Sequence, residues 1–168
     1  MVEMADGSRI PYWNTFYQEI RDTDDYHTRY LGQMDLNIKS EKVWDFYRET
    51  IKKLAGYGAK IIRLDAFAYA PKAPGRANFL NEPETWEFLE QIHKLANPYG
   101  IRLLPEIHAG YKEKKYELIA QKGYLTYDFF LPGLILDALY RGDGTYLEQW
   151  AKEQIKENIH TVNMLGCH

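Results

Sequence analysis

Two carboxylates stand at the ends of two short apolar runs in this chain. The run that starts at Ile61 ends at Asp65, and the run that starts at Ile101 ends at Glu106. A segment with helical periodicity lies between them, and alternating strands and helices predict a parallel sheet. Successive parallel strands deliver their last residues to one edge, where α/β barrels carry their chemistry. Two carboxylates at that edge could act on glycosides: one attacks or stabilises the anomeric carbon, and the other transfers a proton.

Arg63 strengthens this interpretation because it lies two residues before Asp65 and points to the same face of the strand. A cation in this position stabilises the ionised form of Asp65 and can hydrogen-bond to it. Glu106 would have to be protonated when the glycosidic bond breaks, which requires an apolar or shielded setting such as Pro105 and Ile107 would provide. Without further evidence, Asp65 could equally cap a helix or form a structural ion pair with Arg63.

The elements that would position these side chains form a steady strand–helix alternation. Residues 1–37 show no sustained period and are interpreted as an irregular segment, whereas the chain from 38 onwards is regular. Ser40 is placed to cap the first helix, and Asn81 to cap the next as a capping-box variant. The predicted strands are Lys60–Asp65, Ile101–Glu106, Leu125–Phe129 and Ile159–Leu165, and the later helices lie near 112–122, 132–139 and 145–157. The fold class is therefore α/β, and four parallel strands are half of a (β/α)8 barrel, which typically needs ~250 residues when complete.

Composition excludes several classes of protein. The net charge of −3 gives no basic surface for nucleic acid, and no apolar run approaches the ~20 residues of a membrane span. The N-terminus lacks the apolar core of a signal peptide, so a cytoplasmic protein is expected. The 14 Tyr and 4 Trp suit either a carbohydrate-binding surface or a well-filled core. No metal or other cofactor is expected, because the acidic run 22–25 is interpreted as a solvated loop rather than a calcium site.

Four segments, in order, resemble the motifs of the α-amylase family of glycoside hydrolases and transglycosidases. They are Gln33–Asn37, Arg63–Ala66, Leu104–His108 and Asn163–His168. Within that family, further details are similar to the sucrose phosphorylase branch: Trp13–Phe16, the Glu-Ile-His-x-x-Tyr pattern at 106–111, and Tyr127–Pro132.

The resemblance implies a role for each matched residue. Asp65 would be the nucleophile of a retaining mechanism and Glu106 the general acid/base, with Arg63 beside them. His168 would contact the sugar, and Phe16 would form a wall of the sugar site, although Phe is more often a core residue. His108 and Tyr111 are candidates for the acceptor side, with packing as the rival interpretation.

The resemblance also implies that the chain corresponds to part of a barrel, about strands four to seven with their helices. Residues 1–37 would be the end of the subdomain inserted after strand three, and residues 38–168 part of the catalytic barrel. The stabilising Asp of the family would follow His168, outside the sequence. We therefore expect the isolated chain to be inactive or nearly so.

The expected function is that of a segment of a retaining enzyme that cleaves sucrose, or a related glucoside, with phosphate. A hydrolase or transglycosidase of the same family is the first alternative, because the acceptor depends on loops that the motifs do not specify. A non-catalytic half-barrel that binds sugar or self-associates through its exposed edges is the second. The expected partners are thus a small sugar, phosphate, and either the rest of the barrel or a second copy.

Overall fold

The computed structural model describes residues 2–3, 6–10, 18–22, 25–29, 35–73 and 75–166. The eight strands that it contains within these residues are β1 (Val2–Glu3), β2 (Arg9–Ile10), β3 (Gln18–Asp22), β4 (Asp25–Arg29), β5 (Ile61–Leu64), β6 (Arg102–Pro105), β7 (Thr126–Tyr127) and β8 (Thr161–Val162). The α-helices there are α1 (Glu41–Gly56), α2 (Glu84–Ala96), α3 (Lys115–Gln121), α4 (Leu131–Arg141) and α5 (Thr145–Lys156). The described fold is thus α/β, as predicted.

The four predicted strands are present and pair in parallel, although each is shorter than predicted. β5 pairs with β6, and β7 pairs with β8. A backbone hydrogen bond of 3.3 Å from Leu125 N–H to the Leu103 carbonyl links the two pairs. β7 is only two residues long because the next residue, Asp128, turns the chain: its side chain accepts the N–H groups of Phe130 and Leu131 at the start of α4.

The main core lies between α2 and the β5–β6 pair. One face of α2 is apolar and buried: Phe88, Leu89, Ile92 and Ala96 are all buried, and Leu95 packs against them. They meet Ile101 and Leu103 of the following strand segment in one cluster. This packing holds the two strands in register and so fixes where their ends lie.

The start of α2 differs from the prediction. Asn81 does not cap the helix with its side chain: its Nδ2 donates to the carbonyls of Pro71, at 2.9 Å, and Ala77, at 2.7 Å. Pro83 occupies the cap position, where no side-chain cap bond forms. Asn81 instead fastens the long loop after β5 to the body of the fold. Ser40 does occupy the cap position of α1, but its side chain makes no cap bond either.

The structure contains regular elements within residues 1–37, where none was predicted. β1 pairs with β2, and β3 pairs with β4, both antiparallel. The strands β3 and β4 are rich in charged and polar residues. They pair through backbone hydrogen bonds, so the sequence shows no hydrophobic period from which they could have been predicted. The boundary at 37 between an inserted subdomain and the barrel stays a prediction. No helix in the described ranges is long and apolar enough to cross a membrane.

The core assignment predicts the effect of truncating Leu89, whose side chain is fully buried (0% exposed). We expect Leu89→Ala to lower the free energy of unfolding by about 2–5 kcal/mol, through lost burial and the cavity that remains. Leu139→Ala is the matched control, because Leu139 on α4 is 75% exposed. Urea denaturation of both variants measures the difference, and equal losses would contradict the assigned core.

Candidate active site

The ends of β5 and β6 bring Asp65 and Glu106 to neighbouring positions. Leu64 pairs with Pro105, and Glu106 N–H donates to the Leu64 carbonyl at 3.1 Å, so the pairing continues to the two carboxylates. Neighbouring strands lie about 4.7–4.9 Å apart. This backbone spacing is compatible with the ~5–5.5 Å that separates the carboxyl groups of retaining glycosidases.

Arg63 joins the two carboxylates through its two terminal nitrogens. Nη1 lies 2.5 Å from Asp65 Oδ1, and Nη2 lies 2.8 Å from Glu106 Oε1. Partial burial opposes the charge of Arg63, but the hydrogen bond to Asp65 and the attraction of both carboxylates outweigh it and raise its pKa. The predicted pairing of Arg63 with Asp65 is present, whereas its contact with Glu106 was not predicted.

The two carboxylates differ in their surroundings. The Asp65 side chain is 71% exposed, whereas that of Glu106 is 9% exposed between the buried residues Pro105 and Ile107. The shielded setting predicted for Glu106 is therefore present. Its Oε2 also accepts the N–H of Ala66 at 3.0 Å. Ala66 has the left-handed φ of 46°, an uncommon conformation for a residue with a Cβ, and it directs its amide towards the second carboxylate.

His108 lies on the open side of Glu106. Its Nε2 is 3.7 Å from Glu106 Oε1, and its side chain is 61% exposed. The imidazole packs against the ring of Phe129 in a tilted arrangement, with centroids 3.8 Å apart and an interplanar angle of 34°. The structure thus brings together Arg63, Asp65, Glu106 and His108, four of the predicted site residues.

Tyr111 is directed towards α5 instead. Its hydroxyl donates to Glu153 Oε2 at 2.5 Å, and its ring lies 4.0 Å from the Nζ of Lys114. Lys114 forms an ion pair with the same carboxylate, which also accepts the Tyr116 hydroxyl at 2.6 Å. These contacts tie the loop after β6 to α5. They fit the packing role that was the alternative for Tyr111, and a role at the acceptor side stays a prediction.

A cleft of about 440 Å³ adjoins Asp65 on the side of α1. Arg63 and Asp65 form part of its wall, and one side of α1 lines it with Phe46, Tyr47, Thr50, Ile51 and Leu54. Asp35, the carboxylate of the first matched motif, also lines this cleft and forms an ion pair with Lys72. No local sequence pattern predicts this ion pair, because its two residues are far apart in the chain.

Phe16 and His168 lie outside the described residues, so their predicted roles stay predictions. The sequence reasoning did not assign Tyr127 and Phe129 to the site, although they belong to a stretch that matched the family. The ring of Tyr127 lies 5.9 Å from the Arg63 guanidinium. Tyr127 and Phe129 both lie at the end of a predicted strand, and this position was the sequence signal that could have assigned them to the site. In the part of the chain that the structure describes, no three His, Cys, Asp or Glu side chains are grouped so as to hold a metal ion.

Comparison with known proteins gives consistent matches along almost the whole chain. Sucrose 6(F)-phosphate phosphorylase of Ilumatobacter coccineus is 53% identical over 167 residues, which cover 99% of this chain and 32% of that protein. Sucrose phosphorylase of Streptococcus mutans is 39% identical over 162 residues, 96% of this chain and 31% of the relative. The homologues of this chain are sucrose phosphorylases and related phosphorylases of the α-amylase family. The resemblance predicted from the motifs is thereby confirmed.

A solved structure agrees with these phosphorylase matches. Sucrose 6F-phosphate phosphorylase of Thermoanaerobacter thermosaccharolyticum superposes with a TM-score of 0.74 at 30% identity, over 97% of this chain and 36% of the other. No protein-family model matches the chain. The chain spans about a third of the length of the phosphorylases that it matches, so it corresponds to a segment of them.

The tie between the loop and α5 predicts a pH-dependent contribution to stability in this phosphorylase-like segment. Partial burial alone would raise the pKa of Glu153, but hydrogen bonds from Lys114, Tyr111 and Tyr116 lower it to about 2 from the usual 4.5. A depressed folded-state pKa means that the stabilisation is complete above about pH 4.5 and is lost as the pH falls towards 2.

We therefore expect Glu153→Gln to lower the free energy of unfolding by about 1.5–3 kcal/mol at pH 7, the range for hydrogen bonds to charged groups. Urea denaturation between pH 7 and pH 2 should show that the difference in free energy of unfolding between the wild type and the variant becomes smaller below pH 4.5. Glu148→Gln on the exposed face of α5 is the control. A difference in free energy of unfolding that stays constant across this range would show that these partners do not stabilise the ionised side chain of Glu153.

Proposed function

We propose that this chain supplies the nucleophile and the general acid/base of a retaining phosphorylase that acts on an α-glucoside. The observation that supports it most is the placement of Asp65 and Glu106 at adjacent strand ends, joined by Arg63. The chain that carries this arrangement is 53% identical to a sucrose 6(F)-phosphate phosphorylase. The exposed carboxylate suits an attack on substrate, and the shielded one suits proton transfer.

In the first step, an Asp65 carboxylate oxygen attacks the anomeric carbon of the glucosyl unit. The bond from that carbon to the leaving oxygen breaks, and Glu106 transfers its proton to that oxygen. A glucosyl ester of Asp65 remains, and fructose is released if the substrate is sucrose. Arg63 holds both carboxylates in place, so the groups start close to the geometry that the reaction needs.

In the second step, an oxygen of phosphate attacks the same carbon from the side that the leaving group vacated. The ester bond to Asp65 breaks, and Glu106 takes up the proton of the attacking oxygen. Two inversions give α-glucose 1-phosphate with retained configuration. His108 is exposed beside Glu106 and is suited to donate to the phosphate, with Tyr111 further along the same loop. Phe16 and His168 are proposed to contact the glucosyl unit.

The same proposal assigns the chain to about strands four to seven of a (β/α)8 barrel, with residues 1–37 as the end of the inserted subdomain. The parallel pairs β5–β6 and β7–β8 support this placement, as does the partial coverage of the longer phosphorylase structure. The parent enzyme, meaning the longer protein of which this chain would be a segment, would supply the remaining strands and the third carboxylate.

Two sugars are candidates for the donor substrate. Sucrose is the substrate named for the Streptococcus mutans relative. Sucrose 6F-phosphate is the second candidate, because the relative at 53% identity and the superposed structure both carry that name. The two sugars differ by a phosphate on the fructosyl unit, which a cationic group beyond the glucosyl site would have to recognise.

Product analysis of the parent enzyme on sucrose and on sucrose 6F-phosphate, each with and without inorganic phosphate, tests this assignment. We expect glucose 1-phosphate to form only when phosphate is present, and the higher kcat/KM to identify the natural donor. Free glucose at equal rates with and without phosphate would make the enzyme a hydrolase and contradict the phosphorylase proposal.

The separate roles of the carboxylates predict different responses to the leaving group. With a natural donor, Glu106→Gln in the parent enzyme should lower kcat by about 10²–10⁴-fold, the usual contribution of a general acid. With α-glucosyl fluoride, whose fluoride leaves without a proton, most of the glucosylation rate should return. Asp65→Asn should be inactive with both donors because no ester can form. Equal losses with both donors in Glu106→Gln would contradict its role as the acid.

A further inference from the structure

Within the described part of the chain, two contacts bear on the position of the His108 side chain. Its side chain is largely exposed, and the 3.7 Å between Nε2 and Glu106 Oε1 is too long for a hydrogen bond. The tilted ring of Phe129, whose centroid lies 3.8 Å from that of the imidazole, is the close contact that restrains the imidazole. Removing this ring would leave His108 free to rotate away from the acid/base.

Phe129 is well placed to act as a fixed support. The residue before it, Asp128, is buried, and its Oδ1 accepts the N–H groups of Phe130 at 3.1 Å and Leu131 at 2.9 Å. The other oxygen, Oδ2, accepts the indole N–H of Trp150 on α5 at 2.9 Å. Tyr127 lies on the preceding side, with its ring centroid 5.3 Å from that of Phe129. The backbone on either side of Phe129 is therefore held in place.

The charges at the site explain why the position of His108 matters. Arg63 is already paired with two carboxylates, and their negative charges offset its attraction for an incoming phosphate. His108 offers ring nitrogens on the open side of Glu106, where the second substrate must arrive. A shift of this ring would weaken the binding of an anion much more than that of a water molecule.

We propose that Phe129 is a positioning residue that holds His108 beside Glu106 and thereby favours phosphate over water as the glucosyl acceptor. This proposal rests on the proposed phosphorylase function and adds a residue that sets its acceptor preference. Phe129 acts through His108 and takes no part in bond making or breaking.

The test is the ratio of glucose 1-phosphate to free glucose that the parent enzyme forms from its donor at a fixed phosphate concentration. Phe129→Leu removes the aromatic face and keeps an apolar side chain, and it should lower this ratio roughly two- to tenfold, the range expected from the energy of one aromatic pair. The rate at which the fructosyl leaving group is released at saturating phosphate should change less than the ratio. Phe129→Tyr restores a ring and should restore the ratio.

Phe130→Leu is the matched control, because Phe130 packs against Trp150 and Tyr116 rather than against His108. A ratio that falls equally in Phe130→Leu would show general loosening of the loop and would overturn the proposal, as would an unchanged ratio in Phe129→Leu. A wild-type enzyme that forms no glucose 1-phosphate would instead refute the proposed function itself.

A second measurement on the 168-residue chain keeps the structural part falsifiable. The ring current of Phe129 should shift the His108 ring protons upfield in the NMR spectrum. Phe129→Leu should remove that shift, whereas Phe129→Tyr and Phe130→Leu should keep it. His108 resonances that are the same in the wild type and Phe129→Leu would show that the two rings are not in contact.

Discussion

One guanidinium group organises the candidate site. Arg63 contacts the exposed Asp65 with one nitrogen and the buried Glu106 with the other, and this is possible because β5 and β6 pair in parallel and in register. A shift of one residue between the strands would turn the carboxylates to opposite faces. The packing of α2 against these strands therefore has a direct chemical consequence, since it determines whether one cation can reach both acids.

The contact between Arg63 and Glu106 also limits what the free site can do. A buried carboxylate without partners is costly, and here a cation and the Ala66 amide compensate for the burial of Glu106. Arg63 and the Ala66 amide each occupy one oxygen of Glu106, whereas proton transfer requires that one of these oxygens face the leaving group. Under the proposed mechanism, binding of the glucoside must weaken this pairing, and the leaving oxygen beside Glu106 must take the place of an interaction with Arg63. Formation of the ester would then neutralise Asp65, and Glu106 would be the one charged partner of this pair that Arg63 keeps.

The fold and the carboxylate pair could be predicted because their signals are local. Apolar runs that end in Asp65 and Glu106, with a helical period between them, indicate strand ends at one edge. The contacts that position the other side chains join residues far apart in sequence, such as His108 with Phe129 and Asp35 with Lys72. No pattern reports such pairs. The predicted cap at Asn81 was wrong for a related reason, because its side chain found partners in the loop after β5.

The helix α5 shows how a distant element can determine the shape of this site. Trp150 and Glu153 lie one turn apart on the helix and hold two different loops: Trp150 binds Asp128 beside Phe129, and Glu153 binds Tyr111 and Lys114 after β6. The ring contact between His108 and Phe129 joins these two loops. The relative position of the two rings is thus set by one rigid helix face rather than by either loop alone. Under the proposed function, a change on this face of α5 would move the acceptor side while the carboxylates at the ends of β5 and β6 stay in register.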